Sequence, residues 1–247
     1  LATIKDWSGE LGFYDDSEDD HIRLLLYGKT GSGKTTFAGT FPNPLFIDTD
    51  KGGLTLRDKK IPRIKLTPGN KTYDEIMDIL HKIKNKEEPF DFKIETIVMD
   101  GFTALSDFMM IDILKYPKAP GKVSRDILKG KPEWDDYDCL KNEFLAIMRY
   151  VKDIGLHFVA TAGVKLDEDK TNGNFIAHPN VIGGYRFIVG HDFNEVYYLE
   201  EKKTSKDNEY IVHFQNFSYY YAKSQLKYKG IKTNVSYDTL YLEKEVK

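Results

Sequence analysis

Gly28-Lys29-Thr30-Gly31-Ser32-Gly33-Lys34-Thr35 decides how this chain reads. The octapeptide fills the pattern G-x-x-x-x-G-K-[ST], and its context matters as much as its letters. Before it runs Ile22-Arg23-Leu24-Leu25-Leu26-Tyr27, apolar and of strand length; after it, Thr35-Thr36-Phe37-Ala38-Gly39 is helix-like. A Gly/Ser-rich surface turn shares the composition but not this strand–turn–helix order. The glycines let the backbone curl so that N–H groups converge on phosphate oxygens, helped by the positive end of the helix. The pattern assigns Gly28, Lys29, Thr30, Gly31, Ser32, Gly33, Lys34, Thr35 and Thr36 to phosphate binding. Lys34 would reach the outer phosphates, and the Thr35 hydroxyl would sit on Mg2+. The implied ligand is a nucleoside triphosphate with Mg2+.

The rest of the composition narrows the partners. At 247 residues the chain suits one α/β domain with a sizeable core. A net charge of −3 gives no global attraction to nucleic acid or acidic membranes, so any nucleic-acid site must be a local basic patch. The single cysteine, Cys139, excludes an internal disulfide and a multi-cysteine zinc site and fits a reducing, cytoplasmic setting. No apolar run reaches membrane-span length and no signal-peptide pattern opens the chain, so no membrane partner is expected. The chain opens at Leu1 rather than Met, and further N-terminal residues are expected to precede it.

Along the chain, residues 1–21 read as a lead-in ending in the acidic cluster Asp15-Asp16-Ser17-Glu18-Asp19-Asp20. Phe41-Pro42-Asn43-Pro44 stops the first helix. Short strands follow at Leu45-Phe46-Ile47-Asp48 and Arg63-Ile64-Lys65-Leu66. From Thr72, Ile76, Ile79, Leu80 and Ile83 stand at helical spacing. Thr96-Ile97-Val98-Met99-Asp100 is an apolar strand closing on a carboxylate, with a helix behind it through Ile113. Residues 116–133 lack periodicity; Leu140 to Val151 is helical; His157 to Ala162 is another central strand. Residues 164–184 read as a polar loop, and alternating strands are expected at 185–189, 193–199, 209–214 and 217–222, with a hairpin tip at Lys202–Asn208. Alternating strands and helices predict an α/β fold, a mainly parallel, doubly wound sheet extended by C-terminal antiparallel strands.

A phosphate loop needs a second carboxylate at the tip of a neighbouring buried strand to hold the Mg2+ shell. Asp100 fits, although a carboxylate there also serves as a helix cap. Gly101 follows it, where ATPases of the AAA+ class usually carry their water-activating Glu. The base must then come from elsewhere. Phe46-Ile47-Asp48-Thr49-Asp50-Lys51-Gly52 resembles the Ile-Asp-Thr-Glu-Gly segment of the RecA/RadA recombinase core, whose Glu positions the attacking water. The order of elements is similar too: phosphate loop, Ile-Asp-Thr-acid strand, helix, strand ending in Asp, helix, strand, long loop, antiparallel tail. The resemblance makes the chain a RecA-like P-loop ATPase over residues 22–225, with a C-terminal extension at 226–247, and puts Asp50 in the role of the Glu. Bacterial members take their Glu from the start of the next helix, which offers Asp74 or Glu75 as the alternative; both also read as first-turn acids complementing the helix dipole. Thr161 would sit beside the γ-phosphate as a sensor or be an ordinary strand residue. Gly163 stands where the family normally has a Gln or His that couples nucleotide state to DNA.

Tyr220-Tyr221-Ala222-Lys223-Ser224-Gln225 resembles an Ala-Lys-x-Arg segment of phage RecA-like proteins of the single-strand-annealing (Sak) type, and His178-Pro179-Asn180-Val181-Ile182-Gly183-Gly184 resembles their Pro-x-x-x-Gly segment. Lys223 would then reach a neighbour's nucleotide, with Gln225 in place of the arginine, or be a solvated lysine at a sheet edge. His178 and His191 have no cysteine or acid spacing around them and are assigned no metal. The resemblance also implies two DNA-facing loops, here 116–133 and 164–184. The first carries Lys118, Lys122, Arg125, Lys129 and Lys131 against Asp126 and Glu133, with Tyr116 and Trp134 available for stacking. By this resemblance the chain binds ATP and Mg2+, hydrolyses ATP, associates with copies of itself on single-stranded DNA, and meets a single-strand-binding protein. A nucleotide-switched assembly or loading factor acting on a protein is the alternative. A small-molecule kinase would need clustered lid arginines, and the loops offer only isolated ones.

Overall fold

The computed structural model describes residues 21–50, 53–90, 92–117, 121–126, 130–168, 173–203, 208–216 and 219–242. The acidic cluster at 15–20 and the hairpin tip at 204–207 lie outside them. Parallel strands β1 (Arg23–Gly28), β2 (Pro44–Asp48), β3 (Arg63–Lys65), β4 (Thr96–Asp100) and β5 (His157–Ala162) form the centre of one sheet. They interleave with helices α1 (Lys34–Ala38), α2 (Thr72–Asn85), α3 (Phe102–Lys115) and α4 (Trp134–Ile154). The spatial order β8 (Glu195–Lys203), β1, β5, β4, β2, β3 puts β5 between the phosphate-loop strand and the Asp100 strand. The doubly wound sheet expected from the alternation is therefore present, with antiparallel strands at its far edge.

Both faces of this sheet are covered, and the strand sequences show why. Leu25 and Tyr27, Leu45 and Ile47, Ile97 and Met99, Phe158 and Ala160 point to the side packed by α2, α3 and α4. Leu24, Leu26, Phe46, Val98 and Val159 point to the other. A strand buried on both faces reads as an unbroken apolar run, since successive side chains alternate sides. Among the described residues of the first half of the chain, the second face is covered by the five-residue α1 and a 3-10 turn (Gly53–Lys59). Residues from the expected C-terminal extension complete it. Tyr228, Leu240 and partly buried Tyr237 and Tyr241 join that core, with Phe41 and Tyr237 rings 4.9 Å apart.

The last third departs from the sequence reading. β8 lies parallel to β1, and in the same sheet β9 (Asn208–His213), β10 (Lys223–Ser224) and β11 (Ile231–Thr233) run antiparallel to the strands they pair with. Residues 164–184 are not a loop: β6 (Val164–Glu168) and β7 (Phe175–Pro179) pair as a separate antiparallel hairpin. Lys165, Leu166, Glu168 and Phe175 are exposed, so the hairpin has no continuous buried face to mark it in sequence. Residues 185–189 are not a strand. Gly183–Phe187 and Val189–Asp192 are 3-10 turns pinned by Tyr185, whose ring stacks on Phe144 at 4.8 Å and whose hydroxyl donates to Asp192. Of 217–222, the described residues contribute a single bridge, Ala177 to Tyr220. Helix α4 starts six residues earlier than its apolar stripe, because Glu133 and Asp136 form a reciprocal capping box.

Candidate nucleotide-binding site

The carboxyl ends of β1, β2, β4 and β5 open onto one cleft of about 870 Å3. Gly28 to Thr36 form its first wall. Gly31 and Gly33 both have φ of 85°, a left-handed conformation that costs a side-chain-bearing residue about 1–2 kcal/mol. At Gly28 the constraint is contact: a Cβ would lie 2.0 Å from the Leu199 carbonyl oxygen of β8. Lys34 is folded over the loop, its Nζ donating to the carbonyls of Gly28 (3.0 Å) and Lys29 (2.7 Å). Burial pushes this ammonium down to about 8, against the opposing pull of Asp100 and Asp50.

Across from the loop, Asp100 is buried at the tip of β4 and accepts hydrogen bonds from the Thr35 hydroxyl (3.1 and 3.2 Å) and the Thr161 hydroxyl (2.6 Å). Burial raises its carboxyl above the usual range, the two threonines oppose that, and Asp48 and Asp50 add to it. Thr161 also accepts from the Gly101 N–H at 3.0 Å, so one hydroxyl ties the tip of β5 to that of β4. A hydroxyl and a buried carboxylate in contact, both lining a cleft beside an ammonium, are hard oxygen donors of the kind Mg2+ takes alongside phosphate. The residues therefore fit the ion that the sequence pattern implies.

Asp50 lines the same cleft from the end of β2, just beyond Thr49. Thr49 is fixed by donating to the carbonyls of Asp100 (3.0 Å) and Gly101 (2.7 Å). A Cβ built on Gly101, where φ is 100°, would meet Thr49 Oγ1 at 2.5 Å and Asp50 Cβ at 2.9 Å. The space beside Asp100 that a side chain at 101 would fill is thus taken by Asp50. The bare glycine and the acid on the neighbouring strand are two halves of one packing solution.

The other candidates fall elsewhere. Asp74 and Glu75 do not line the cleft; Asp74 lines a separate pocket with Asp112 and Glu143. The reason is local: Asp112 on α3 accepts from the Thr72 N–H and hydroxyl at 2.7 Å each, capping α2 from outside and turning its first turn towards α3 and α4. Burial first, then Asp112, raises the Glu75 carboxyl. Lys223 pairs with Val196 near the start of β8, at the opposite end of the strands from the phosphate loop, so it cannot act on its own chain's nucleotide. In the basic segment, Lys118 and Lys129 lie outside the described residues. Lys122 is held by Glu133 and by Asp135 (3.3 Å), and Arg125 grips Asp136 at 2.6 and 2.8 Å. Burial alone would raise the Asp136 carboxyl; the Glu133 N–H and Arg125 outweigh it and hold it low. These two cations pair with acids at the start of α4. Lys131 is exposed, as is Trp134.

Sequence reasoning missed four contributors. Asp48, buried beneath the site, accepts from the Asp50 N–H (3.1 Å) and pairs with Arg63 (3.3 Å). Tyr210 of β9 packs on Gly33, where a Cβ would meet its ring at 2.9 Å. Asn180 follows β7 and lines the cleft, its N–H donating to the Gly163 carbonyl at 2.9 Å; Thr103 holds the Gly163 N–H from the other side at 2.9 Å. Tyr210 and Asn180 come from segments distant in sequence, which leaves no spacing signal, whereas Asp48 and Thr103 stand beside the acid-ended strands β2 and β4.

No curated protein matches the chain. Among solved structures, a KaiC-like protein from the hyperthermophilic archaeon Pyrococcus horikoshii OT3 aligns over 86% of this chain and 83% of its own, at 14% identity and a TM-score of 0.48. The model of the AAA_24 family, described as an AAA domain, matches residues 20–226, which takes in the phosphate loop, Asp50, Asp100 and Thr161. With the phosphate loop, the interposed β5 and the acid-ended β2 in place, the chain belongs to the AAA_24 family of AAA domains and is a P-loop ATPase domain.

Proposed function

We propose that this chain hydrolyses ATP and uses the cycle on single-stranded DNA as an oligomer, in the manner of the phage single-strand-annealing proteins that its sequence resembles. The observation that carries the hydrolytic part is the fit of Asp50 against Gly101, which sets a carboxylate beside the Thr35–Asp100 pair and across from Lys34. In this reading the backbone N–H groups of 28–35 and the Lys34 ammonium offset charge on the phosphates, and Asp50 orients the attacking water. Mg2+, held by Thr35 and Asp100, would supply further neutralisation of the phosphates. The DNA part is supported by the β6–β7 hairpin, which begins and ends at the cleft through Gly163, Val164 and Asn180 and carries exposed Lys165, Leu166 and Phe175. A second reading, a nucleotide-switched factor acting on a protein, is favoured by the engagement of Lys122 and Arg125 with acids of α4. ATP turnover with and without single-stranded DNA separates them: stimulation supports the first reading, and a rate indifferent to DNA together with no DNA retention refutes it.

A further inference from the structure

Beside the hairpin, sharing no lining residue with the nucleotide cleft, lies a second pocket of about 380 Å3. Its walls come from β7, the two 3-10 turns, Asn216 and Tyr219 to Tyr221, and they are unusually aromatic: Phe187 and Tyr219 are 56% and 39% exposed there. His178 stands edge-on to Phe187 at 5.1 Å, and the Arg186 guanidinium lies over the same ring at 4.7 Å. Arg186 Nε is buried 3.4 Å from Asp167 Oδ2, yet neither atom has a hydrogen bond, so this donor is positioned but not satisfied. Burial lowers the His178 imidazole, which keeps it neutral and able to stack or accept near pH 7. On the strand opposite His178 stands exposed Lys165.

Flat π surfaces with a cation at the rim match an unstacked base and its phosphate, and stacking of this sort tolerates any base. We infer that this pocket takes one splayed-out base of a single-stranded nucleic acid, with Phe187 and Tyr219 as its stacking surfaces and exposed Lys165, opposite His178 on the hairpin, for the adjoining phosphate. The inference deepens the single-stranded DNA reading and rests on it.

The pocket is also wired to the nucleotide site. Tyr27, the residue before Gly28, is fully buried, and its hydroxyl donates to the Tyr221 carbonyl at 2.6 Å and accepts from the Tyr221 N–H at 2.9 Å. The same hydroxyl lies 3.4 Å from the Ala177 carbonyl of β7. Burial raises this phenol far above its ordinary value, so it remains a donor. Tyr221 in turn presses on the backbone of Gly190, where a Cβ would meet its ring at 2.7 Å. One hydroxyl at the root of the phosphate loop thus holds two walls of the pocket, and Tyr27 is assigned as a positioning residue that transmits base occupancy to the loop.

The test uses the full chain and a short oligothymidylate bearing one 2-aminopurine, whose fluorescence falls on stacking. The unmodified chain should quench it saturably, and Phe187→Ala and Tyr219→Ala should each weaken binding ~5- to 100-fold, as loss of one stacking surface does. Both side chains are exposed, so thermal midpoints should not move. Tyr27→Phe should bind the oligonucleotide normally while losing its effect on ATP turnover. Absence of quenching, or wild-type affinity in both alanine variants, overturns the pocket; normal coupling in Tyr27→Phe overturns the link. If DNA still stimulates turnover in the alanine variants, the DNA reading survives and the pocket falls. If the oligonucleotide stacks in the pocket without changing turnover, the pocket stands and the DNA-driven ATPase falls.

Discussion

Nucleotide affinity should fall steeply on the alkaline side, and Lys34 sets where. Its ammonium is held down to about 8 by burial in the unliganded cleft. Triphosphate oxygens placed against it favour the charged form and raise its pKa, so binding takes up a proton once the free lysine has begun to lose one. Affinity is therefore undiminished below pH 8 and is lost as the pH climbs above it. With a pKa near 8 the charged fraction falls about 25-fold between pH 7.5 and 9.5, worth ~1.9 kcal/mol of binding. Throughout that window the triphosphate is already ionised, so its own titration adds little. Titration calorimetry with a non-hydrolysed ATP analogue, repeated in buffers of different ionisation enthalpy, reads both the slope and the proton uptake. Lys34→Ala should abolish measurable binding, and Lys34→Arg, if it binds, should show no such slope, since a guanidinium does not titrate there. A flat profile with no proton uptake would show that Asp100, Asp50 and the loop carbonyls keep Lys34 charged, and the burial argument would fail.

The remaining predictions concern the neighbours of that lysine and the start of α4. Asp50→Asn should leave nucleotide binding intact and stop turnover; a normal rate in single-turnover assays would remove Asp50 as the water-orienting group. Gly101→Ala puts a Cβ against Thr49 and Asp50 at a left-handed φ, so stability should drop by about 1–2 kcal/mol and turnover should fall more than binding, as read by denaturant melts beside ATPase kinetics. A variant with unchanged stability and rate would show that Asp50 does not depend on the bare glycine. Arg125→Gln leaves Asp136 buried without its guanidinium partner, so the thermal midpoint should fall while single-stranded DNA affinity and its salt slope stay put. Loss of DNA affinity with no thermal change would return the basic segment to the DNA interface.

What could be read in the sequence and what could not follows from where each residue gets its partners. Strands β1, β2, β4 and β5 are buried on both faces, so their apolar runs are continuous and end at Gly28, Asp48, Asp100 and Ala162. An acid or glycine at such an end stands out, and the phosphate loop, Asp50 and Asp100 do come together in one cleft. The β6–β7 hairpin escaped notice because its exposed positions give no buried stripe, and the 185–189 alternation misled because Phe187 faces solvent while Tyr185 and Val189 do not. Helix α4 was recognised by its apolar face, but its first turn carries no apolar signal and owes its place to acids at 133 and 136. Those acids also absorb the charge that made the preceding segment look free. The placement of the first turn of α2, with Asp74 and Glu75, away from the cleft rests on Asp112, forty residues beyond the Thr72 that it caps, and no spacing rule reaches that far.

Strand β1 has neighbours on both sides, β5 with Arg23 beside Phe158 and β8 with Leu24 beside Glu195. Both partners lie more than 130 residues downstream, and the β8 carbonyl that packs on Gly28 belongs to Leu199. During synthesis, the strand that launches the phosphate loop therefore waits unpaired while most of the chain emerges. Pairings across such sequence distances form late and slowly, because the intervening loop must close before any contact rewards it. The apolar run Leu24-Leu25-Leu26 is exposed for that interval, which makes it the segment most in need of protection on the ribosome. ATP, whose cradle exists only once Leu199 is in place, can then help only at the end, as a ligand that selects finished chains.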